Sequence, residues 1–252
     1  MTGNVKKTFA AFARARARYR EELRALERKL PGLGELQQEL ADRRRGPAYR
    51  VETPLVYNGA LDELGPGDRI RLILVADNPG RREQAAENRR YLVGPSGKIA
   101  ENFFRNTPEL GIDFRRNVLI LNKTPVHSPR TADLAELCRR GGPEIAALIA
   151  ASQRAMAALL LDFHRALAPV PVWITGYSEM RRGGIFEAYT EALIRIYSRK
   201  AASALRESVF LYRHFSMNQF TINLRRETLP GEKTGDALLR IGRAYRERIL
   251  GW

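Results

Sequence analysis

The sequence predicts an α/β protein: a three-layer α/β/α arrangement around a four-stranded, mostly parallel sheet, preceded by a basic helical arm. Two observations carry this. Four short apolar runs, "RIRLILVA" (69–76), "NVLILN" (117–122), "VPVWITG" (170–176) and "ESVFLYRH" (207–214), are each bounded by turn residues. Helical stretches at 97–106, 142–168 and 185–206 separate them, and such alternation is the pattern of a parallel sheet covered on both faces.

The arm comes first. Residues 6–29 contain no Gly or Pro, and Phe9, Phe12, Tyr19, Leu23 and Leu26 recur at roughly helical spacing. Pro31-Gly32 is expected to end this helix, a shorter one follows over about 33–43, and "RRRGP" (43–47) reads as a linker. The expected division is therefore 1–46 for the arm and 47–252 for the α/β domain, whose last helix spans about 234–249.

Composition narrows the function. The chain has 252 residues with 43 Lys and Arg against 28 Asp and Glu, a net charge of +15. Through residue 30 the arm alone carries nine Lys/Arg against three Glu. Such an excess favours a polyanionic partner, and nucleic acid is the expected one. One cysteine, Cys138, excludes internal disulfides and Cys-ligated clusters, and the histidines His127, His164 and His214 have no metal-ligand spacing. No metal or other cofactor is expected. No sequence run of about 20 apolar residues suggests a membrane span, so the expectation is a soluble cytoplasmic protein with no obligate protein partner.

Ligands of open parallel sheets sit beyond the carboxyl ends of the strands. Here those ends present Asp77-Asn78, Asn122-Lys123, Gly176-Tyr177 and Arg213-His214. "VGPSGK" (93–98) imitates a phosphate loop, but Leu92 stands where Walker A needs its first Gly and Ile99 follows the Lys. "DNPG" (77–80) lacks the second Pro and the aromatic of an amino-methyltransferase turn.

The strand-end residues have one coherent chemistry. Asn78 or Asp77 offers an oxygen that can hold a water; Asn122 pairs a donor with an acceptor, matching the edge of a pyrimidine such as uracil. His214 can donate to an oxygen where negative charge develops. Together they suffice to cleave an N-glycosidic bond. Each has a plainer reading: Asn78 as an Asx turn, Asp77 paired with Arg81 or Arg82, Asn122 as a turn former.

Four blocks in order then resemble the uracil-DNA glycosylase superfamily, over about residues 70–220. "ADNPG" (76–80) is similar to the family's "GINPG", "GMNPG" and "GEAPG" forms, and "YLVGPSG" (91–97) to "PFVGxAG". "VLILNKTPVHSP" (118–129) resembles the base-reading strand, and "HFSM" (214–217) resembles "HPSP". The resemblance implies catalytic roles for Asn78, Asp77 and His214, with either Asn78 or Asp77 placing the water. It implies a base pocket of Ala76, Pro79, Gly80 and Asn122, with Leu92 or Tyr91 stacking on the base. It implies DNA contacts from Lys123, Arg213, Ser216, Met217, Asn218, Gln219 and Phe220, among them a wedge that fills the space of an extruded base. Ala76 for Gly and Phe215 for Pro depart from the family, and the single cysteine rules out the iron–sulfur cluster of some branches. The expected function is a monofunctional glycosylase acting on a deaminated base in DNA repair, uracil foremost. The alternative is a nucleic-acid-binding protein on the same fold without activity.

Overall fold

The computed structural model describes residues 3–29, 32–44 and 47–252. Pro31, expected to end the first helix, and Arg45 and Gly46 of the expected linker lie outside the described residues. The arm forms α1 (Gly3–Glu27) and α2 (Leu33–Asp42). The apolar stripe of α1 is buried: Phe12, Tyr19, Leu23 and Leu26 belong to the same hydrophobic core as the sheet. Its basic face is exposed, the ordinary division for an amphipathic helix.

After the short helix α3 (Ala60–Glu63) come β1 (Leu72–Ala76), α4 (Pro95–Arg105), β2 (Val118–Asn122) and α5 (Thr131–Leu167). Then follow β3 (Val172–Thr175), α6 (Glu187–Tyr197), α7 (Lys200–Ser203) and β4 (Val209–Tyr212). Helices α8 (Gln219–Glu227) and α9 (Thr234–Leu250) close the chain. The sheet is four-stranded in the order β2-β1-β3-β4, and all three pairings are parallel. Every strand residue is buried, which explains why the runs read as continuously apolar instead of alternating.

The helices differ from expectation in three places. Helix α5 starts eleven residues earlier than 142 and breaks at Gly142, whose φ of 68° interrupts the helix so that Pro143 can open a second segment. The helix is long and apolar enough to cross a membrane by length and composition, and 56% of its apolar window is buried in the fold. The stretch 185–206 ends as a helix at Tyr197, and α8 was not expected at all.

The strand order positions the site. The chain leaves β1 for β2 on one side and later enters β3 on the other, so connections diverge around the carboxyl end of β1. A crevice opens where they diverge. Asp77 and Asn78 sit there.

Candidate active site

An open cleft of about 810 Å³ lies over the carboxyl ends of the strands. Ala76, Asp77, Asn78, Gly80, Leu92, His214, Ser216 and Met217 are among its lining residues. Asn122 pairs in register with Ala76, two residues before Asn78, but neither Asn122 nor Pro79, both expected in the base pocket, is among the lining residues.

The turn after β1 is held from several directions. The Pro79 carbonyl accepts Ser128 N–H at 3.1 Å and His127 Nδ1–H at 2.9 Å. Asn78 Nδ2 donates to the Ser128 carbonyl at 3.0 Å and to its hydroxyl at 2.9 Å. Gly80 N–H donates to Glu83, whose buried carboxylate also accepts the N–H groups of Leu92 and Val93. Burial pushes the Glu83 carboxyl above its usual range, and the three N–H donors oppose that. Glu83 thus ties the "ADNPG" turn to the loop that carries Leu92.

Asp77 is engaged on both oxygens. Lys123 Nζ donates to Oδ1 at 2.5 Å and Thr131 Oγ1 to Oδ2 at 3.1 Å. Neither Arg81 nor Arg82 is its partner. Gly176 makes room for it: a Cβ there would lie 2.3 Å from Asp77 Oδ1, and Gly176 also has φ of 78°. Asn78 differs, since among the described residues its Oδ1 accepts no hydrogen bond. Of the two expected water holders, Asn78 is the one with an oxygen to spare.

Asn122 is 2% exposed, and its Oδ1 has no hydrogen-bond partner among the described residues. A buried acceptor left unpaired costs about 1–3 kcal/mol unless a ligand satisfies it. His214 Nδ1 accepts the Ser216 N–H at 3.0 Å and faces its hydroxyl at 2.8 Å. With Nδ1 accepting, the proton of a neutral imidazole resides on Nε2. Burial lowers the His214 pKa, the Asp77 charge raises it and the Lys123 charge lowers it. His214 therefore offers a neutral Nε2–H donor. Phe215 stacks on Phe220 with centroids 4.3 Å apart and anchors this turn through the core.

Several expected roles are corrected. Tyr91 does not line the cleft: it is fully buried, donating to the Val56 carbonyl at 2.6 Å and meeting Tyr19 at 2.5 Å. Leu92 takes the place on the wall, with a left-handed backbone at φ of 53°. Lys123 is 0% exposed and reaches no phosphate, because its ammonium is spent on Asp77 and on the Thr175 carbonyl at 2.5 Å. Phe220 is 2% exposed within an aromatic cluster with Phe103, Trp173 and Tyr212, so it cannot act as a wedge. Arg213 lies over the Tyr177 ring and does not line the cleft. Ser216 orients His214. Met217 is 81% exposed on the rim, in a left-handed conformation with Asn218, and Gln219 begins α8 behind them.

The rim also holds residues to which the sequence assigned no binding role. Arg44, Arg81, Arg82 and Arg130 line the cleft. Arg44 pairs with Asp133 at 2.6 Å, whereas Arg82 and Arg130 have no ion pair among the described residues. Tyr49 lines it too, its hydroxyl 2.9 Å from His127 Nε2 and its ring beneath Arg81. Ser128 carries no motif of its own. Glu83 had a signal, an acid three residues after Gly80 at capping-box spacing.

His164 is buried away from the cleft, bonded to Tyr197 and Ser208. Among the described residues there is no cluster of His, Cys, Asp and Glu able to hold a metal. Compared with protein-family models and with curated proteins, the chain gives no match to either.

Proposed function

We propose that the protein is a DNA glycosylase that hydrolyses the N-glycosidic bond of a flipped-out deaminated base, with uracil the base that its pocket suits best. Two polar groups without a partner among the described residues carry this, at the carboxyl ends of the sheet's two outer strands, β2 and β4: the buried Asn122 Oδ1 and the neutral His214 Nε2–H. Uracil presents a donor beside an acceptor for the amide, and an oxygen on which the His donor stabilises charge.

The chemistry follows from those groups. Asn78 Oδ1 holds a water below the sugar. The bond from C1′ to the base nitrogen breaks, and its electron pair leaves with the base. The water oxygen bonds to C1′ as it becomes cationic, and the water's proton passes to solvent. The His214 Nε2–H bond strengthens as the base becomes an anion, so it acts on the transition state more than on the ground state. Asp77, bonded to Lys123 and Thr131, contributes a fixed charge on the cleft wall. Arg82 and Arg130 supply phosphate contacts at the rim, and Met217 supports the stack vacated by the base.

The test uses end-labelled oligonucleotides with one uracil, hypoxanthine or xanthine, single- and double-stranded, followed by hot alkali. Scission at uracil that His214→Ala abolishes supports the proposal. Intact substrate with salt-sensitive binding retained would favour a non-catalytic nucleic-acid-binding role.

A further inference from the structure

Beneath the cleft lies a buried charge pair that the chemistry above does not use directly. Lys123 Nζ reaches Asp77 Oδ1 at 2.5 Å and the Thr175 carbonyl at 2.5 Å, with its ammonium 4.8 Å from the centre of the Phe186 ring. Lys123 is 0% exposed and Asp77 is 7% exposed. The backbone reinforces the contact, since Lys123 N–H donates to the carbonyls of Ala76 and Asp77. Three strand ends therefore converge on one ammonium: β1 through Asp77, β2 through Lys123 itself and β3 through Thr175. A surface role for this lysine is excluded by its position, and solubility does not require a charge there.

We propose that Lys123 is a positioning residue of the cleft: it fixes the Asp77 carboxylate in the wall and balances that charge beside His214, so that the imidazole remains a neutral Nε2–H donor. The Lys123–Asp77 pairing stands on the hydrogen-bond geometry, and Asp77 and His214 line the same cleft; the consequence for base excision rests on the glycosylase reading. An uncompensated carboxylate near His214 would favour the imidazolium, and an uncompensated ammonium would oppose it. Burial of His214 already lowers its pKa, Asp77 raises it, and Lys123 lowers it. The other charged groups are Glu83, whose carboxylate is held by three backbone N–H groups, the rim arginines Arg44, Arg81, Arg82 and Arg130, and Glu179, whose negative charge acts on Lys123 from the segment after β3. Among the described residues none of these bonds to Asp77 or His214, and Lys123 is the cation placed to offset Asp77.

Truncating one member of a buried pair leaves a charge stranded, so each single change has an opposite sign and the double change cancels them. The experiment follows the His214 imidazole by NMR through a pH titration of the full-length chain labelled at histidine. The chains compared are wild type, Lys123→Met, Asp77→Asn and the double variant, with His214→Asn assigning the signal. Lys123→Met is expected to raise the His214 midpoint by about one pH unit, and Asp77→Asn to lower it by a similar amount. The double variant returns it toward wild type. If Lys123→Met does not fold, the comparison of Asp77→Asn with the double variant still decides, because the double must titrate at the higher pH.

Equal midpoints in those two chains would overturn the role assigned to Lys123. With an active enzyme, the acid limb of the uracil-excision profile must move with the His214 midpoint. A limb that stays fixed while the midpoint moves would overturn the catalytic consequence. An expected set of midpoints in a chain that releases no base would support the charge balance and count against the glycosylase reading alone.

Discussion

Asn78 and Ser128 are joined by two hydrogen bonds, from Nδ2 to the Ser128 carbonyl at 3.0 Å and to its hydroxyl at 2.9 Å. The hydroxyl donates onward to the Arg130 carbonyl at 2.8 Å, so it faces Asn78 as an acceptor. This settles which end of the amide is nitrogen and leaves Oδ1 for water. Ser128→Ala should loosen the amide without removing it. The expected result is an excision rate reduced by about tenfold to a hundredfold, as a misplaced reacting group costs. Stability should fall by only about 1 kcal/mol for the lost hydrogen bonds. Single-turnover kinetics beside urea unfolding checks both.

Met217 and Phe220 are three residues apart and should behave in opposite ways. Met217 is 81% exposed and Phe220 2% exposed. Phe220→Ala should cost about 3–5 kcal/mol of stability by emptying the aromatic cluster. Met217→Ala should change stability by less than about 0.5 kcal/mol. Its effect should appear on duplex uracil and be smaller on single-stranded uracil, where no stack must be opened. Equal losses on both substrates would remove the wedge role.

Two buried histidines set an acid limit to stability. Burial lowers the pKa of His127 and of His164 from 6.5 to about 4. Between these values the unfolded chain binds the protons and the folded chain does not, so stability rises with pH across that window. The contribution is fully present above pH 6.5 and is lost as pH falls toward 4, by roughly 3 kcal/mol per histidine. Urea midpoints measured from pH 7 to pH 4 should decline, and His164→Phe should flatten part of the slope.

The sheet is legible in the sequence because each strand is buried on both faces, leaving runs such as "LILVA" with no polar interruption. Asp77, Asn78, Asn122 and His214 are legible because strand ends of a parallel sheet are where ligands bind. Tyr91 and Lys123 are not, for a shared reason. Their surroundings come from distant segments: Tyr19 on α1 closes over the Tyr91 hydroxyl, and Asp77 with Thr175 encloses the Lys123 ammonium. Local pattern shows an aromatic and a cation near a site without showing which way either turns. Phe220 misleads similarly, since its ring belongs to a cluster assembled from α4, β3 and β4. The rim arginines become visible only once the loops are folded over the cleft.

If Asn78 and His214 act on one glycosidic bond while the surface around them holds the nucleic acid, substitution should separate the two functions. The most direct measurement is release of free uracil from a uracil-containing oligonucleotide under single-turnover conditions, with binding to the same oligonucleotide measured in parallel. Expected are release by the wild-type chain, a loss of at least about a hundredfold in both Asn78→Ala and His214→Ala, and binding within about threefold of wild type in each. Release that survives both substitutions, or a wild-type chain that binds and releases nothing, would contradict that expectation.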